Sequence, residues 1–205
     1  MNTEPRINTA GDAIDLSTTG IGSYIDLDNS GVLTATNAVG SANGIDAYTQ
    51  DANSRIDVTN SAAIAATSNA TTFAAVGILG RTTGTNSPVS ILNSADITAT
   101  STGDIGVAAA LDGVTYGSDG NIAIENHGDL RAITTGGSSF AFGIIARTFG
   151  PDSAIQIVNT GALAATSASG NAYGISTLTD NTGSPIQILN SGDLTAIATG
   201  AYSNA

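Results

Sequence analysis

The sequence predicts an all-β fold: a parallel β-helix, or β-solenoid, of about six coils with three short strands in each. Three observations predict it. An Asn recurs at Asn29, Asn60, Asn93, Asn126, Asn159 and Asn190, with spacings of 31, 33, 33, 33 and 31 residues. Around each of these, apolar residues fall at every second position, the period of a strand with one buried face. Between the apolar runs stand Gly, Thr, Ser and Asn, which disfavour helix and suit tight turns.

The first strand of each coil ends at the recurring Asn. Four residues before it stand Ile25, Ile56, Val89, Ile122, Ile155 and Ile186; two before it stand Leu27, Val58, Ile91, Ile124, Ile157 and Ile188. A small residue follows two positions after the Asn (Gly31, Ala62, Ala95, Gly128, Gly161, Gly192), where the chain must turn. The second strand carries Leu33, Ile64, Ile97, Leu130, Leu163 and Leu194, and then an Ala in every copy, Ala35 to Ala196. An Asn at the corner is expected to bond to backbone groups left open by the turn and to the Asn of the next coil.

A third strand is expected around a Gly-Ile pair: "NGIDA" at Asn43, "VGILG" at Val76, "IGVAA" at Ile105, "FGIIA" at Phe142 and "YGIST" at Tyr173. On this alignment Ile45, Ile78, Val107, Ile144 and Ile175 point inward, together with the residue two before each. The coil with Val107 then needs a first loop four residues shorter and a second four longer than its neighbours. Coils rise by ~4.8 Å, so six rungs make a rod on the order of 30 Å long. Residues 1–205 read as one array with partial coils at both ends, cut from a longer repeat. "DAIDL" at Asp12 resembles only a third strand, and the array stops at "AYSNA" where another coil is due.

Composition narrows the partners. The 205 residues carry a net charge of −12, with five Arg, no Lys, no Cys and no Trp. Nucleic acid and anionic membranes both require a cationic face, which this chain lacks. A disulfide framework is excluded, so packing and hydrogen bonds must hold the fold. No apolar run approaches the ~18 residues of a membrane helix, and the N-terminus has no basic region leading into an apolar stretch, so no signal peptide is read there.

Candidate sites are few. Asp26 and Asp57 share an outward column, with Asp28 nearby, and stacked like charges of this kind could recruit Ca²⁺; otherwise no cofactor is expected. Asp96 and Asp129 form a similar pair at the corner. His127 occupies a column of Ser and Thr, and Arg81 and Arg147 share a column with Ala110 between them and no aligned carboxylate partner. No constellation meets the geometry of acid–base catalysis, so the chain reads as a non-enzyme. The Thr-x-Thr pairs at Thr34/Thr36 and Thr98/Thr100, broken by Arg131, argue against an ice-binding lattice. The best contact face is the outer side of the third strand: Tyr48, Leu79, Arg81, Ile145, Arg147 and Leu178, beside an outward Gly column.

The wording "IQIVNTGALAATSASGNAYGIST" (Ile155 to Thr177) and its relatives resembles the repeat of large bacterial autotransporter passengers, Ile-x-Asn-x-Gly-x-Ile-x-Ala followed by a Ser/Thr/Gly loop and Ala-Tyr-Gly-Ile. The resemblance covers roughly residues 24–202. It implies a right-handed β-helix, exported through the outer membrane and displayed at or shed from the cell surface. It also implies an adhesive or structural role as a stalk or contact surface, toward a host or matrix protein, a glycan, or another copy of itself. Carbohydrate-active β-helix enzymes and ice-binding or matrix solenoids are the alternatives.

Overall fold

The computed structural model describes residues 11–200, together with the backbone of Arg6–Asn8. All regular structure among them is strand, arranged in three parallel sheets of seven, six and six strands, each strand paired with its equivalents one coil before and after. Sheet 1 holds the strands that end at the recurring Asn, from Ile25–Asn29 to Ile186–Asn190. Sheet 2 follows the Asn corner, from Leu33–Asn37 to Leu194–Ala198, and is preceded by Arg6–Asn8, which pairs with Leu33–Ala35. The first coil therefore has a second-sheet strand before "DAIDL" as well as the expected third-sheet one. Sheet 3 holds Ile14–Thr18 and the long strands Ala42–Thr49, Ala74–Thr82, Val107–Thr115, Phe140–Thr148 and Ala172–Thr179. The expected stop at residues 201–205 lies outside the described residues.

The core follows the columns. Ile56, Ile64, Ile78 and their equivalents form one continuous apolar cluster through the coils. Each such fully buried side chain contributes roughly 1.5–3 kcal/mol. Where sheets 2 and 3 approach, the interior narrows to stacked Ala: Ala66, Ala99, Ala132 and Ala165 face Ala75, Ala108, Ala141 and Ala172. The invariant Ala is therefore a spacing requirement, since a larger side chain would force the two sheets apart.

Polar columns fill the three corners. At the first, the Nδ2 of Asn60, Asn93, Asn126 and Asn159 donates both to the Oδ1 of the next Asn and to the carbonyl two residues on; Asn93, for example, bonds Asn126 at 2.7 Å and Ala95 at 2.6 Å. The chain of side-chain bonds runs without a break from Asn29 to Asn190. At the third corner, Thr49, Thr82, Thr115 and Thr148 each donate to the carbonyl five residues later. In the same turn Gly22, Asn53, Asn86, Asp119, Asp152 and Gly183 all have φ between 52° and 75°. Gly, Asn and Asp are the residues that tolerate that left-handed conformation.

The third and first corners keep constant length, so all the variation between 31 and 33 residues lies at the second. There Asn37 to Ala42 and Ser167 to Ala172 take two residues fewer than Ser68 to Ala75, Ser101 to Ala108 and Thr134 to Ala141.

The third strand of the fourth coil is not "IGVAA". Ala109 pairs with Val76 and Phe142, and Leu111 with Ile78 and Ile144, so the inward residue is Leu111 rather than Val107. No loop compensation is needed. The Gly column (Gly44, Gly77, Ala110, Gly143, Gly174) also faces the opposite way from expectation. A Cβ on Gly44, Gly77 or Gly143 would run into the side chain of Ile64, Ile97 or Leu163 and into the next coil's backbone carbonyl, so this column faces the core. The register skips it in every pair, leaving two successive inward positions. The residues before it, Asn43, Val76, Ala109, Phe142 and Tyr173, consequently point outward rather than inward.

Candidate functional site

Because sheet 3 changes phase at the Gly column, each of its long strands has two arms. Outward side chains of the first arm touch those of the second: Val76, Ala109 and Ile145 pack together with Ala74, Leu79 and Phe142, apart from the interior. The outer face is concave along this line. Phe140, Phe142 and Tyr173 extend it as a stack with ring centroids 6.3 and 5.1 Å apart. Of the residues singled out for contact, Leu79 and Ile145 lie in this concavity and Ile145 is buried by its neighbours; Leu178 is exposed. Tyr48, Arg81 and Arg147 stand in one column further along the second arm, with Val114 rather than Ala110 between the two arginines.

Each of these arginines has a carboxylate, contrary to expectation: Asp46 for Arg81 in the expected register, and Asp112 for Arg147 once the fourth coil is realigned. Asp46 and Asp112 share one column of the second arm, and the arginines stand two residues further on in the next coil. Arg147 Nη2 bonds both oxygens of Asp112, at 2.8 and 3.1 Å, with only 9 % of the Asp112 side chain exposed. Burial pushes the Asp112 carboxyl above its ordinary range, and Arg147 opposes the shift. Arg81 stands 4.0 Å from Asp46 and packs over the Tyr48 ring at 5.1 Å. This looser pair leaves Asp46 Oδ1 buried without a hydrogen bond. Burial raises Asp46 to about 6; Arg81 opposes the shift, and Asp12 and Asp15 add to it.

The Asn ladder is buried from Asn29 to Asn159 and bonded within itself, so it lines no channel. Asp26 stacks on Asp57 as expected, but Arg55 Nε lies 2.6 Å from Asp57 Oδ2 and supplies its counter-charge, while Asp28 stacks on Thr59. Among the described residues no three Asp, Glu or His side chains are grouped to hold an ion. Asp96 and Asp129 accept backbone N–H bonds from Asp129 and Ala162 of the following coils, at 3.1 and 3.0 Å, and so tie corners together. His127 is exposed and bridges Glu125 and Thr160, each at 2.8 Å.

Sequence reasoning missed the Asp–Arg pairs and the Thr, Gly/Asn/Asp and Ser columns of the third corner. The signal for the last was present: Thr49, Thr82, Thr115, Thr148 and Thr179 each stand five residues before a Ser or Gly, and this spacing fixes the fourth coil. No helix among the described residues is long and apolar enough to cross a membrane. No family model matches the chain, and neither does any curated protein or solved structure.

Proposed function

We propose that the chain is a structural and adhesive segment of a surface-displayed β-solenoid, of the autotransporter-passenger kind exported through a bacterial outer membrane, acting as a stalk or contact surface. The observation that carries this reading is the unbroken stacking: the Asn ladder and all three sheet registers run through the coils without interruption. A thin Ala-lined core of this kind yields length and outer surface rather than an enclosed cavity. The repeat wording, the lack of Cys and the acidic, Lys-free composition support the export context. In this reading the chain catalyses nothing and needs no cofactor. Its partner is a host or matrix protein, a glycan or another copy, and neither nucleic acid nor direct membrane insertion suits a net charge of −12.

The test is display of the chain on a Gram-negative cell through a fused β-barrel translocator. Adherence to immobilised matrix proteins and glycans, or cell sedimentation by self-association, should rise several-fold over cells displaying the barrel alone. Full surface display with neither effect would overturn the reading. One observation favours a second reading, carbohydrate cleavage: the Asp46/Arg81 and Asp112/Arg147 pairs lie on the concave face. Against it, Asp112 has both oxygens engaged by Arg147, and the charged groups acting on it among the described residues are Arg147 and Arg81 rather than the second carboxylate such chemistry requires. Release of reducing ends from polysaccharides, abolished by Asp112→Asn, would decide for cleavage.

A further inference from the structure

On the side of the rod away from the Asp–Arg pairs, the outer face of sheet 1 carries a shallow trough of about 370 Å³ spanning four coils. That volume falls at the low end of the ~300–1,000 Å³ typical of small-ligand sites. Two outward columns border it. In one, Asp57, Ser90, Ala123 and Gln156 are register neighbours, so two small residues lie between two longer polar ones. In the other, Thr59, Leu92, Glu125 and Val158 alternate polar and apolar.

From this lining we propose that the trough binds a short, uncharged oligosaccharide lying along the rod axis. Both carboxylates are engaged locally, Asp57 by the Arg55 guanidinium at 2.6 Å and Glu125 by a hydrogen bond with His127 at 2.8 Å. Among the described residues no Arg lines the trough, so an anionic ligand would meet carboxylates with no lining cation to neutralise it. What remains is a row of acceptors and hydroxyls (Asp57, Thr59, Ser90, Glu125, Gln156) with Leu92 and Val158 between them. Vicinal sugar hydroxyls match planar carboxylates and a carboxamide, and the C–H face of a sugar ring matches the aliphatic side chains. The site lies on a different sheet from the concave face, so the inference does not rest on the adhesive reading.

The experiment is saturation-transfer NMR on the full chain with cellobiose, maltose, lactose and N,N′-diacetylchitobiose as probes, and a hyaluronan oligosaccharide as the anionic comparison. At least one neutral disaccharide should receive saturation. Ala123→Tyr, which fills the trough from an exposed position, and Gln156→Ala should each weaken that binding tenfold or more. Thr34→Tyr on sheet 2 should leave it unchanged, and circular dichroism checks that all three variants fold. The proposal is overturned by no transfer to any neutral probe, by transfer that Ala123→Tyr leaves intact, or by preference for hyaluronan. Self-association that Ala123→Tyr abolishes would identify the trough as an interface between copies and would equally overturn it. Cells displaying the Ala123→Tyr variant separate the two readings: adherence or sedimentation that persists in them leaves the adhesive reading standing when the trough fails, and sugar binding without adherence leaves the trough standing when the adhesive reading fails.

Discussion

At the scale of single residues the fold depends on side chains that satisfy the backbone at corners. Asn126 donates to Asn159 and to the Gly128 carbonyl and accepts from Asn93. Asn126→Ala strips three buried groups of a partner, each worth ~1–3 kcal/mol when left open and not fully additive. We expect a loss of about 3 kcal/mol in urea denaturation, against less than about 1 kcal/mol for Asn190→Ala, where the side chain is exposed. Asp46 makes a different prediction. Its folded-state pKa of about 6 lies above the ordinary 3.8, so the folded chain holds a proton that the unfolded chain releases. The stability linked to Asp46 is therefore fully present below about pH 3.8 and is lost as pH rises through about 6. Hydrogen exchange at the Ile45 amide should slow between pH 7 and 5 after correction for intrinsic rates, and Asp46→Asn should abolish that change. An unchanged profile in the variant would refute the assignment.

At the scale of the element, the third corner and the third sheet make the sharpest demands. Asp119 sits at φ 56°, where a β-branched residue is strained. Asp119→Val should cost ~1–2 kcal/mol and Asp119→Gly should be nearly neutral, both read from denaturation midpoints. Sheets 1 and 2 were legible in the sequence because their alternation is strict and two columns, the Asn of sheet 1 and the Ala of sheet 2, are invariant. Sheet 3 was legible only in part, because its alternation breaks at the Gly column. The cue of a Gly before a β-branched residue selected Gly106-Val107, whereas the physical requirement is a small residue facing the core, which Ala110 meets. That shift of four residues hid the pairing of Asp112 with Arg147, which crosses from one coil to the next. A double-mutant cycle of Asp112→Ala and Arg147→Ala should give a coupling of ~1–2 kcal/mol, reduced by the 39 % exposure of Arg147. Zero coupling would contradict the register described for the fourth coil.

At the scale of the whole molecule, each coil contacts only its neighbours, so stability adds coil by coil and interior coils should open last. This explains how outward residues differ freely between coils while the inward columns do not: Asp57, Ser90, Ala123 and Gln156 share one outward position, and Ile56, Val89, Ile122 and Ile155 one inward. Candidate contact surfaces were therefore legible as places of variation, but their shapes were not. The concavity of sheet 3 depends on a phase change, and the sheet 1 trough on which small residues fall side by side. The central claim is that a continuous buried Asn ladder ties the coils into one rod. It is tested most directly by following side-chain amide protons in D₂O by NMR. Those of Asn60, Asn93, Asn126 and Asn159, buried and bonded on both sides, should persist for hours, while those of the exposed Asn86 and Asn181 exchange at once. Equal, rapid exchange of all six would contradict it.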